Sequence, residues 1–116
     1  MLSVVLITAS DPESGTPSGL YAAALARALG ASGHQVHIIT RTGPTPRPRH
    51  DARAPITTHR LPIRRNAPDA AFVIEACRRT CELRRSGRCD VIECLDAPAA
   101  GFAIATLGHL LGDAPI

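Results

Sequence analysis

With 116 residues the chain has room for one domain with a real core and hardly for two. Hydrophobic residues at 45% against 20% charged exclude disorder throughout, and no segment approaches the roughly 20 consecutive apolar residues that cross a bilayer. The net charge of +3 rests on 13 arginines and no lysine beside heavy Ala, Gly and Pro use, which is a compositional bias; with 3% aromatics, all in predicted helices, it makes no nucleic-acid face.

Leu2 to Ala9 is a short run dense in Val, Ile and Leu, read as a strand buried on both faces. It lacks a positive leader and meets Asp11 and Glu13 at once, so it is a strand and not a signal peptide, and a cytoplasmic location is the default expectation. Ser10 to Gly19 then holds only small, polar and turn-forming residues. Thr16 is placed to cap a helix that has Pro17 at its first position. That helix carries Leu20, Tyr21, Ala24, Leu25, Ala28 and Leu29 and closes at Gly33, and Val36 to Thr40 forms a second strand. A strand-to-helix bend of small residues exposes helix N-terminal amides at the carboxyl ends of the strands, which reads equally as a place for a phosphate or carboxylate or as plain packing. Gly15, Ser18 and Gly19 are the residues of this bend.

Residues 41–54 alternate prolines with polar and cationic side chains and read as an exposed loop, either a basic flap or a solvated connection. Pro55 to Arg64 alternates again, with Ile56, Thr58 and Arg60 on one side and Thr57, His59, Leu61 and Ile63 on the other, and predicts a third strand nearer the sheet edge. His37 and His59 are read as ordinary strand residues. Pro68-Asp69 opens a second helix, ended by Gly87, with Val73, Ala76, Cys77, Thr80 and Leu83 inward. Its outer face offers four-apart pairs of Glu75 with Arg79 and Arg78 with Glu82.

Cys89 to Leu95 predicts a fourth strand. Asp96 and Pro98 start a third helix, Ala99 to Leu111, that is apolar enough to need cover on more than one side. Glu93 and Asp96 sit at or near the carboxyl end of that strand, and Asp96 serves equally as a cap or a binding carboxylate. Cys77, Cys81, Cys89 and Cys94 have poor zinc spacing and read as small buried hydrophobes. Ala114-Pro115-Ile116 looks like the entry to a further strand, so the chain is expected to be the front portion of something longer.

Ser18-Gly19-Leu20 opening a helix that closes with Gly33-His34-Gln35-Val36, together with Asp90-Val91-Ile92-Glu93 after a polar helix, resembles the N-terminal domain of retaining GT-B glycosyltransferases, glycosyltransferase family 4. The resemblance implies an α/β, Rossmann-like parallel sheet of about four strands, ordered strand-helix-strand-strand-helix-strand-helix, with helices on both faces. Residues 1–116 would be a single, partial domain lacking the C-terminal donor-binding domain. It implies transfer of a sugar from a nucleotide-diphosphate sugar to an unknown acceptor, with retention, by the parent enzyme, the fragment alone being inactive. The family has a Gly-Gly pair in the first turn, near the donor phosphates. Ser18 stands at the first position and Gly19 at the second, so Gly15, Ser18 and Gly19 fall to the donor phosphates and Glu93 and Asp96 to the acceptor side. No catalytic residue lies in the stretch, no metal or other cofactor is expected, and membrane contact would arise only with a lipid acceptor.

The alternative is a flavodoxin-like or other phosphate-binding α/β protein, against which stands the want of loop aromatics to flank a flavin. The bend lacks the G-x-G-x-x-G of dehydrogenases, the absence of lysine excludes a P-loop, and Gly15-Thr16-Pro17-Ser18-Gly19 is no nucleophile elbow.

Overall fold

The computed structural model describes residues 1–42, 47–63 and 67–95. Strands β1 (Ser3–Ile7), β2 (Gln35–Arg41), β3 (His50–Arg53), β4 (Ile56–Leu61) and β5 (Val91–Cys94) form one sheet in the order β3-β4-β2-β1-β5. β1 pairs in parallel with β2 (Val5 opposite His37) and β5 (Leu6 opposite Glu93), and β2 in parallel with β4 (Thr40 opposite Arg60). Only β3 runs antiparallel, with His50 opposite His59. The parallel βαβ unit read from residues 2–40 is therefore present, in a Rossmann-like α/β sheet with one helix on each face among the described residues.

Helix α1 (Pro17–Ala31) and helix α2 (Asp69–Arg85) end alike. The Gly33 N–H bonds the Gly30 carbonyl and the His34 N–H reaches back to Leu29; Gly87 and Arg88 do the same to Arg84 and Leu83. This double closure needs a left-handed residue after the last turn, which Gly33 (φ 90°) and Gly87 (φ 74°) supply without a Cβ clash. His34 has a second task, since its Nδ1 accepts the Leu2 N–H at 3.1 Å and ties the helix end to the start of β1. Asp90 does likewise for β5: its carboxylate accepts the Ser3 N–H at 2.8 Å.

Alternation along the strands sends Val5, Ile7, Ile39 and Leu61 to α2, where they pack with Phe72, Ala76, Cys77, Cys81 and Leu83. Val4, Leu6, Val36 and Ile38 go to the other face and meet Ala26, Leu25 and Leu29 of α1. Leu20 and Tyr21 of α1 face outwards. On the exposed side of α2, Arg78 joins Glu75 and Glu82, while Arg79 also reaches Glu82 rather than Glu75.

One expectation is corrected. The segment 41–54 is not all loop: His50–Arg53 forms the edge strand β3. A tight turn through Ala54 and Pro55 folds it back on β4, and its ladder bonds satisfy backbone that a loop would give to water. Its polar side chains gave no apolar alternation to read, which is the composition edge strands use against further pairing. The expected third helix and the segment after it lie outside the described residues. Among the described residues no helix is long and apolar enough to cross a membrane.

Candidate functional site

The bend between β1 and α1 is organised by Asp11, which is 5% exposed. Its side chain accepts the Glu13 N–H at 2.8 Å and its carbonyl accepts the Ser14 N–H at 2.9 Å, so the chain folds around it in two successive turns. Gly15 (φ 79°) lies at the exposed tip. Thr16 caps α1, as its position before Pro17 predicts, and its hydroxyl accepts the Gly19 N–H at 3.2 Å. Gly19 is buried where a Cβ would lie 2.3 Å from the Asp11 carbonyl oxygen, so the bend can close over the helix only because this position has no side chain.

That closure narrows the row of bare amides expected here. Pro17 has no N–H, the Gly19 N–H goes to Thr16, and the Leu20 N–H makes the first helical bond to the Thr16 carbonyl. Ser18 supplies the first-turn amide with no partner among the described residues. No acidic residue occupies the first turn of α1, so its partial positive charge is uncompensated, whereas α2 carries Asp69 there. Gly15, Ser18 and Gly19 are thus brought together in one bend, but Gly19 shapes it while Ser18 offers the donor.

Sequence reading missed the group that holds this bend in place. Arg60, on β4, is buried and grips Asp11 with two nitrogens, Nε at 2.6 Å and Nη2 at 3.3 Å. Its Nη1 donates to the Pro48 carbonyl at 3.0 Å and to Asp51 of β3 at 3.3 Å. Glu13 is bound in turn by Arg47 and by Arg53, which also bonds Asp51. Burial opposes the charge on Asp11, yet the Arg60 bonds and the Glu13 amide hold its carboxyl below the ordinary carboxylate value. The signal was available: alternation already put Arg60 on one side with Ile56 and Thr58, and an arginine on an inward face requires an acid.

Glu93 is exposed on β5, an edge strand among the described residues, opposite Leu6 and therefore on the α1 side of the sheet, near the strand end that leads towards the bend. Asp96 lies outside the described residues. The two strand histidines do more than fill positions. His37 Nδ1 and His59 Nε2 are 3.0 Å apart and share one proton as donor and acceptor, with the His50 ring edge-on to His59. Burial pushes His59 down to about 4, helped by His37, Arg79, His50 and Arg88, and burial likewise lowers His37. Both are neutral at pH 7. No disulfide joins the four cysteines, and Cys77 and Cys81 are buried. Burial, with Glu93 beside it, raises the Cys94 thiol, which leaves it a poor nucleophile. Among the described residues no three His, Cys, Asp or Glu side chains are grouped to hold a metal ion.

No curated protein and no solved structure matches the chain significantly. A family model described as a glycosyl transferase 4-like domain matches residues 18–116, from the Ser18 amide through α1, the outer strands, α2 and β5. With the parallel sheet and the capped bend already in place, the chain belongs to the glycosyl transferase 4-like domain family.

Proposed function

We propose that this chain is the acceptor-side part of an enzyme that moves a sugar from a nucleotide-diphosphate sugar to an acceptor, with retention at the anomeric carbon. Family membership supports the transferase class. The observation that carries the finer reading is the first turn of α1, which has an unclaimed Ser18 amide, no acid, and a position at the carboxyl ends of parallel strands. A diphosphate there gains a hydrogen bond from Ser18 and the favourable end of the helix dipole, with Gly15 leaving the tip open. Glu93 is the carboxylate proposed to accept hydrogen bonds from acceptor hydroxyls, and Asp96, outside the described residues, is proposed for the same role.

In this proposal the remaining donor contacts come from a second domain outside the 116 residues, no metal or cofactor takes part, and the setting is cytoplasmic. The chain alone, incubated with radiolabelled UDP- and GDP-sugars and a mixed acceptor pool, is expected to transfer nothing. The polypeptide extended through the coding sequence that follows Ile116 is expected to transfer label. Transfer by the chain alone would overturn the acceptor-side assignment, and inactivity of the extended polypeptide would overturn the transferase. Purified protein is also expected to be colourless, whereas a bound flavin would favour the flavodoxin-like alternative.

A further inference from the structure

Between α1 and the outer strands β4 and β3 lies a cleft of about 310 Å³, a size common for small-molecule sites. Its origin is steric. At the far end of α1, Gly30 presses so close to the β3–β4 turn that a Cβ there would come within 2.8 Å of the Pro55 ring. At the near end the bend closes over the helix with Pro12 and Glu13. Between these two contacts the helix presents Ala23 and Ala26, too short to fill the space above Ile38 and Ile56, with Arg27 beside them.

Two features of the lining point to an occupant. Thr58 forms part of the cleft wall, and its hydroxyl, not sealed from solvent, has no hydrogen-bond partner among the described residues. Such a hydroxyl is free to bond a polar atom of a bound molecule. The charges are unequal as well: the lining holds Arg27, Arg53 and Arg60 against Glu13 and Asp51. Glu13 is neutralised by Arg47 and Arg53, and Asp51 by Arg53 and Arg60. The surplus falls on Arg27, an exposed residue of α1 with no acidic partner among the described residues.

We propose that this cleft binds a small amphiphilic anion, with its apolar body over Ile38 and Ile56, a polar atom on the Thr58 hydroxyl, and a carboxylate or phosphate at Arg27. The site lies along the flank of α1, distinct from the Ser18 amide at its N-terminus, and does not depend on the transferase reading.

The test titrates the whole chain by calorimetry with 1-naphthyl phosphate and with 1-naphthoate, each compared with 1-naphthol and with inorganic phosphate. At least one of the two amphiphiles is expected to saturate a single site, with each separate half binding about tenfold or more weakly, since one charge-assisted bond is worth that factor. Arg27→Gln, on the helix surface, is expected to weaken binding about tenfold, and Thr58→Val, which keeps the shape, by about threefold or more. Ala23→Leu, which fills the space, is expected to abolish it while the helical circular dichroism is retained. Absence of saturable binding by either amphiphile, binding no tighter than that of phosphate alone, or binding that survives both Arg27→Gln and Thr58→Val would overturn the proposal.

Discussion

The two faces of the sheet solve the same packing problem with different materials. Under α2, branched and aromatic side chains interlock: Phe72 and Leu83 descend on Val5, Ile7, Ile39 and Leu61, and the buried cysteines fill what is left. Under α1, equally large sheet residues pack against Ala26, Leu25 and Leu29, and the space left beside Ala23 and Ala26 is rimmed by charges rather than filled. The first arrangement holds the fold together through close packing and apolar burial. The second leaves room, and its rigidity comes from the ion pairs that join the β1–α1 bend to β3 and β4. A domain that must be both stable and receptive can divide those duties between opposite sides of one sheet.

The contrast can be broken most severely from either side. Arg60→Met removes the cation that compensates buried Asp11, and unfolding in urea is expected to show a loss of about 3–5 kcal/mol, as for other orphaned buried charges. Phe72→Ala empties the α2 face and is expected to cost a similar amount, about 3–5 kcal/mol, without disturbing the bend. If Arg60→Met were neutral while Phe72→Ala was not, the ion pairs would be ornament and the bend would be held by packing alone.

Acid sharpens the comparison next. His59 has a folded value of about 4 against about 6.5 in the unfolded chain, so below pH 6.5 the unfolded state binds the extra proton. Stability is therefore expected to fall as pH drops from 6.5 towards 4, by about 3 kcal/mol from this residue, and His59→Gln should flatten that slope in pH-dependent melts. Asp11 acts lower on the scale. Its depressed value contributes stability that is present above the ordinary carboxylate range and lost as pH falls through the folded value. Arg60→Met should remove that second, more acidic dependence and leave the first.

Smaller changes separate shape from charge. Gly19→Ala sets a methyl group against the Asp11 carbonyl and is expected to cost about 1–3 kcal/mol in thermal unfolding, the usual range for overpacking. Ala23→Leu lengthens a side chain into open space and is expected to change stability by no more than about 0.5 kcal/mol. Two substitutions on one helix, four positions apart, would then differ several-fold because one meets backbone and the other meets a void.

Much of this architecture was legible in the residues. β1, α1, β2 and the two helix-closing glycines could be read because local chemistry and tertiary structure agree there: Thr16-Pro17 starts a helix and Gly33 stops one in almost any setting. β3 could not be read, because an exposed edge strand is stabilised by its ladder to β4 and needs no apolar pattern of its own. The bend was legible as a bend, and its contents only in part. The residues leave a ligand's approach and plain packing equally open as reasons for Gly19, and its immediate neighbour is the chain's own carbonyl oxygen at Asp11. The Asp11–Arg60 pair joins residues 49 apart in sequence, and no local spacing announces such a contact.

The antiparallel turn-back of β3 also gives the sheet a direction of growth. On that border a newcomer would meet His50, Asp51 and Arg53 on a four-residue strand, a poor template for another ladder. The opposite border is β5, which lies parallel to β1 and is flanked among the described residues on that one side only. Among the described residues an additional strand would find its open ladder beside Val91 and Glu93, on the border opposite the arginine-rich hairpin.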